Sequence, residues 1–232
     1  MTVQSQNQAM EYRIISIGAL SRHELRPDKG TPRTAHATTT LIRSGQHTIL
    51  VDPGLPAPAI AARLTERAGI EPDDVTDVFL TNFRPAHRRG LAAFEKARWL
   101  ISEREREMVG AMLIERFREA GDDETRELLR EEIALMKRFT AAPDRLAPHV
   151  DLFPLPGFTP GTCGLLLSQP RSTTLIAGDA VATVEHLEQG RVLPHCYDVE
   201  QARESLMEAI EIADFIIPGH DNLTVNLTRR PF

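Results

Sequence analysis

Ten residues, Thr81-Asn82-Phe83-Arg84-Pro85-Ala86-His87-Arg88-Arg89-Gly90, concentrate an imidazole, an amide and three guanidinium groups in one short segment. They follow an apolar run, Val78-Phe79-Leu80, that reads as a buried strand. A strand ending in a polar turn at Thr81 presents the next side chains at the rim of a sheet, a usual place for a site. His87 in that position serves either as a ligand or as a buried ring bonded to a neighbour. Other reactive side chains are scattered. His36 precedes a strand and reads as a surface residue near the site mouth. His195-Cys196-Tyr197 follows Pro194 in a loop that could line a pocket; a Cys–His nucleophile needs a geometry that sequence adjacency rarely gives. Cys163 reads as a small packed thiol. Arg88-Arg89 reads as solvated charge, with an anionic substrate as the sharper alternative. The sequence has no phosphate-binding glycine loop.

The elements that position these residues are legible in turn. Met1–Met10 is polar and reads as a frayed tail. Tyr12–Leu20 reads as a first strand, Ser21–Arg33 as a loop, and Thr38–Ile42 with His47–Val51 as a hairpin turning at Ser44-Gly45. Pro58–Ala68 is helical by spacing, with Gly69 as its C-cap. After Gly90 come strand Arg98–Ile101 and two charged helices, Glu103–Ala120 and Glu124–Phe139, separated by Gly121-Asp122-Asp123. Met108, Met112, Ile114 and Phe117 mark one apolar stripe; Leu128, Leu129, Ile133 and Met136 mark the other. This helical hairpin, residues 103–140, reads as an insertion that covers the core, with a dimer face or a lid as alternatives. Val150–Phe153, Gly164–Leu167, Thr173–Ile176 and Phe215–Ile217 read as later strands, and Glu200–Glu211 as a helix.

A chain of 232 residues, 41% hydrophobic and 26% charged, can bury a full core as one α/β domain. Its net charge of −6 argues against nucleic acid. Two cysteines give no disulfide framework and fit a reducing compartment. No apolar run approaches the roughly 18 residues of a membrane span, and no basic-then-apolar leader opens the sequence. These features lead to the expectation of a cytoplasmic protein.

The segment Thr81–Gly90 resembles the metallo-β-lactamase superfamily signature T-H-x-H-x-D-H-x-x-G, with Thr81, His87 and Gly90 matching. The resemblance continues through Val51-Asp52-Pro53-Gly54, Pro156-Gly157-Phe158-Thr159-Pro160-Gly161, Gly178-Asp179 and Pro218-Gly219-His220. It covers Tyr12 to Asn222 and implies a four-layer αβ/βα sandwich forming a single domain, residues 1–232.

The same resemblance implies which residues matter. Asn82, Arg84 and Phe158 stand where the family places the three histidines of one metal, so that metal is not expected. Ala86 replaces an aspartate of the second metal. His87, Asp179 and His220 remain at ligand positions, enough for one zinc or non-haem iron ion. Asn82 or Arg84 would then steady an oxyanion. The expected activity is one-metal hydrolysis of an ester, lactone, thioester or phosphoester. The alternatives are a catalytically silent relative that binds a small molecule in the former cleft, and an assembly protein that works through its inserted helices as a homodimer. A further expectation is that Arg84 pairs with Asp179 in place of the lost metal, with Phe158 filling the space.

Overall fold

The computed structural model describes residues 9–26 and 32–227. Aliphatic runs build two six-stranded sheets. The first takes β1 (Glu11–Ser16), β2 (Thr39–Ser44), β3 (His47–Val51), β4 (Asp77–Leu80), β5 (Arg98–Ile101) and β6 (Thr140–Ala141) in that spatial order. β1, β2 and β3 pair antiparallel, and β3 to β6 run parallel. The second sheet uses β7 (Arg145–Ala147), β8 (Val150–Pro154), β9 (Cys163–Gln169), β10 (Ser172–Gly178), β11 (Phe215–Pro218) and β12 (Thr224–Val225), ordered 12-11-10-9-8-7. Only β10 and β11 are parallel there. The helices are α1 (Ala57–Ala68), α2 (Pro85–Arg88), α3 (Glu103–Glu119), α4 (Asp123–Lys137), α5 (Val184–Gln189) and α6 (Val199–Ile212).

Three apolar layers hold these elements together. Between the sheets, Ile42, Ile49 and Phe79 meet Val150, Leu165 and Ile217. On the outer face of the first sheet, Val78 and Leu80 pack beneath Ile60 and Leu64 of α1 and Leu113 and Leu129 of α3 and α4. On the outer face of the second, Leu175 and Ile216 pack beneath Leu187, Leu206 and Ala209. Val78 and Leu80 thus face one layer and Phe79 the other, the period of two that a strand buried on both faces requires. The result is the four-layer αβ/βα sandwich.

Local chemistry explains most boundaries. Gly69 closes α1 with φ 63°, its N–H bonded to the Thr65 carbonyl. Ser102, Asp122 and Asp198 cap α3, α4 and α6 by accepting the N–H of Glu105, Thr125 and Gln201. Three expectations need correction. Met10 is buried in the layer between the sheets, so the tail does not run to residue 10; residues 1–8 lie outside the described residues. β1 stops at Ser16, because its register shifts between Ile14 and Ser16 and Ile17 turns outward, 45% exposed. In the hairpin the inward residues include Leu113, while Met112, Ile114 and Leu128 are exposed. Among the described residues no helix is long and apolar enough to cross a membrane.

Candidate functional site

The ends of four strands, β3, β4, β10 and β11, converge on one buried cluster. At the end of β3, Asp52 adopts φ 51°, a left-handed conformation that costs a non-glycine residue energy. Its carboxylate accepts Thr81 N at 2.9 Å and Thr81 Oγ1 at 2.7 Å. α2 then turns His87 inward until it is fully buried. His87 Nδ1 lies 3.0 Å from Asp52 Oδ2, and its Nε2 lies 2.8 Å from Asp179 Oδ2. Asp179 follows β10 after Gly178, where φ is 54° and a Cβ would come within 2.4 Å of Thr81 Oγ1. His220 follows β11, with Nε2 2.9 Å from Asp179 Oδ1.

The hydrogen bonds fix protons. His220 Nδ1 is 3.0 Å from the His36 carbonyl, which only accepts, so Nδ1 carries the hydrogen. His220 Nε2 therefore directs either a lone pair or a second proton at Asp179. Oδ1 of Asp179 is buried and has His220 Nε2 as its close polar neighbour at 2.9 Å, with no hydrogen bond of good geometry to it. Atoms of His87, Asp179 and His220 all lie within 4.8 Å of one another. Two imidazoles and an orphaned carboxylate oxygen at this spacing fit a divalent ion of zinc or iron type. His87 is held differently. Burial alone would lower its pKa, but the charges of Asp179 and Asp52 and its hydrogen bonds to both raise it to about 10. Burial would raise the Asp179 pKa; the positive charges of His87 and His220 more than reverse this and hold it well below the usual carboxylate range.

The positions expected to handle an oxyanion are arranged otherwise. Asn82 is fully buried; its Nδ2 donates to Asp179 Oδ2 at 2.9 Å, and its Oδ1 accepts Arg84 N at 2.9 Å. Asn82 therefore steadies Asp179 and shapes the loop. The expected Arg84–Asp179 pair is not formed. Arg84 is exposed at the N-cap of α2, and its guanidinium lies over the Phe158 ring, 5.4 Å from the centroid. The physical reason is that Asn82, His87 and His220 already surround the carboxylate.

Glu105, which sequence reasoning passed over, ties the two site loops together. Its Oε1 accepts Phe83 N at 2.9 Å, and its Oε2 accepts Thr159 Oγ1 at 2.7 Å and Gly161 N at 2.9 Å. Burial pushes its pKa up, against the pull of those donors. A glutamate three residues after the capping serine, flanked by exposed Arg104 and Arg106, was its only sequence signal. Gly161 packs so tightly that a Cβ would sit 2.1 Å from Glu105 N. Gly161→Ala is therefore expected to lower the unfolding free energy by about 1–3 kcal/mol, measured by urea denaturation. Asp52, as the partner of His87, was the other omission.

Cys163 is buried, and burial pushes its thiol up to about 12. Cys196 bonds the Leu193 carbonyl, and burial raises its pKa as well; with His195 exposed beside it, the pair is not a nucleophile and base. His36 is half-buried and contributes its carbonyl to His220. Arg88 is not a solvated charge: it pairs with Glu132, bonds the Phe83 carbonyl and lies 4.2 Å over the Phe83 ring.

Known proteins share this architecture. The chain superposes on AidC, a dizinc quorum-quenching lactonase, with TM-score 0.68 and 17% identity, covering 94% of this chain and 87% of that one. A metallo-beta-lactamase candidate from Thermotoga maritima gives 0.67 and 18%, covering 94% and 99%. The B. thuringiensis protein AiiA, solved with N-decanoyl-L-homoserine at its active site, gives 0.62 and 22%, covering 91% and 92%. No curated protein sequence matches the chain. The family model of the metallo-beta-lactamase superfamily matches residues 33–220. With that match and this sandwich, the chain belongs to the metallo-β-lactamase superfamily.

Proposed function

We propose that this protein is a hydrolase-like member of its superfamily that holds a single divalent ion, zinc or iron, on His87, Asp179 and His220. The observation that supports this reading best is the buried, orphaned Oδ1 of Asp179 facing His220 Nε2. His220 is oriented by the His36 carbonyl, and His87 by Asp52, outer partners of the kind that aim metal-ligating histidines. Bound there, the ion would supply Lewis acidity toward a carbonyl or phosphoryl oxygen. The chain's own residues do the rest. Asn82 fixes Asp179, Asp52 fixes His87, and Arg84 places a permanent positive charge at the mouth. The substrate class is a small ester, lactone, thioester or phosphoester. Elemental analysis after purification without chelator tests this, with one equivalent of metal per chain as the expected result. Asp179→Asn and His220→Ala are each expected to lower retention at least tenfold. Two retained equivalents, or one that survives both substitutions, would overturn the assignment.

One observation favours a second reading, a metal-free relative that binds a small molecule. His87 already neutralises Asp179 and Asp52 from between them, so the cluster is charge-compensated without an ion. Purified protein that contains no metal and gains none on dialysis against zinc or iron(II) would establish it.

A further inference from the structure

Beside the buried cluster, on the side of the inserted helices, lies a cavity of about 490 Å³. One wall is a single face of α3. Glu105, Val109, Met112, Leu113 and Arg116 recur there at the helical spacing, over a length of about 16 Å. Leu128 and Leu129 of α4 form the facing wall, and Phe83 and Phe158 close the end nearest the cluster. The lining residues Phe83 and Arg84 follow directly on Asn82, whose amide bonds Asp179 Oδ2 at 2.9 Å, which places that end beside the site. Met112 and Leu128 are 42% and 58% exposed, so the cavity is an open, greasy trough.

Its charges are unevenly spent. Glu105 is saturated by three donors, and Arg88 and Glu132 neutralise each other. Arg84 and Arg116, which both line the cavity, form no ion pair within hydrogen-bond reach among the described residues; the Arg84 charge acts on Glu105 only from a distance. A trough with apolar walls and guanidinium groups whose donors are not taken up by a carboxylate selects a molecule that is apolar along its length and carries an oxyanion. Arginine binds carboxylate or phosphate oxygens with paired donors, and the walls supply the burial that a hydrocarbon chain needs.

We propose that this trough binds an amphiphilic anion, a medium-length aliphatic chain ending in a carboxylate or phosphate, with its head group on Arg84. The site is assembled entirely from residues outside the buried cluster, so binding does not depend on an ion there.

Titration calorimetry in the presence of a chelator, with octanoate and octyl phosphate below their micelle concentrations, tests this directly. The expected result is saturable one-to-one binding of at least one of the two anions. Octanol and octyltrimethylammonium should bind at least tenfold more weakly, because they offer the chain without the oxyanion. Arg84→Ala should weaken the anion at least fivefold, and Leu128→Glu, at an exposed position, at least tenfold. Thermal melts of both variants should match the wild type, confirming that the fold is kept. Which anion binds tighter identifies the head group. Absence of binding by both anions, equal affinity for octanol, or unchanged affinity in Leu128→Glu would overturn the proposal. Because the chelator removes any metal, failure here leaves the metal assignment standing, and failure of that assignment leaves this one standing.

Discussion

Replacing His87 by alanine is expected to cost the metal-free protein about 3–5 kcal/mol of unfolding free energy, the usual penalty for leaving one side of a buried ion pair alone. Here two carboxylates are left, since Asp52 and Asp179 both face the ring. Urea denaturation with chelator present measures it, and a loss below about 1 kcal/mol would mean that the ring is not charged. The wild-type pH dependence gives an independent check. The folded pKa is raised, to about 10, so the folded state holds its proton more tightly than the unfolded chain. That contribution is fully present below about 6.5, the ordinary imidazole value, and is lost as pH rises through about 10. Asp179 acts in the opposite direction: its depressed pKa adds stability above the ordinary carboxylate range, lost as pH falls. The metal-free protein should therefore be most stable in weakly acidic to neutral solution. His87→Ala should flatten the alkaline slope.

The second large effect is expected at Glu105. Glu105→Ala orphans two buried amide donors at once, Phe83 N and Gly161 N, while the Thr159 hydroxyl loses one acceptor but keeps Thr162 Oγ1 at 2.6 Å. Each buried donor left unmade costs about 1–3 kcal/mol. Relief from burying a carboxylate offsets part of that sum, so a net loss of about 3 kcal/mol is expected. Glu105→Gln should cost less, because an amide oxygen can still accept, although its NH₂ then faces a donor it cannot bond. The raised pKa of Glu105 means that its own titration favours the fold at low pH and ceases to do so as pH rises through the folded value. Glu105→Gln should remove that acid-range component. Equal stability of the alanine variant and the wild type would show that the two loops are held by other contacts.

These two residues also mark where sequence reasoning reaches and where it stops. The layered architecture is legible because strand runs such as Val78–Leu80 and the capped helices follow local rules, with most boundaries off by a residue or two and the end of β1 off by four. Asp179 and His220 are legible as candidates because each sits just past a strand end in a short motif, and His87 because it lies in the loop and helix that follow β4. What is not legible is pairing across long separations. Arg84 was expected to reach Asp179; instead three polar side chains from the cluster surround that carboxylate, and Arg84 stays outside on Phe158. The three residues of β7 and the two each of β6 and β12 carry too little periodicity to read. In the helical hairpin both apolar stripes are legible, but their inward edge is not: Leu113 packs into the core and also lines the trough, while Met112 lines it from an exposed position. On an amphipathic helix a shift of one residue rotates the face by about 100°, and only the neighbouring elements decide it.

The short stretch Ala37-Thr38 joins the two halves of the molecule at the level of single amides. Ala37 N donates to the Ala86 carbonyl, in the loop that delivers His87, at 2.9 Å; Thr38 N donates to the Gly219 carbonyl, beside His220, at 2.7 Å. Two adjacent amide protons thus report on opposite sheets. If the halves separate before either melts, both amides should exchange with deuterium at one common rate, faster than amides inside β4 and β10. If one half frays first, the two rates should part, and the faster amide names the half. Residue-resolved exchange at these neighbouring positions would therefore time the assembly of the cluster without any ligand, substrate or metal.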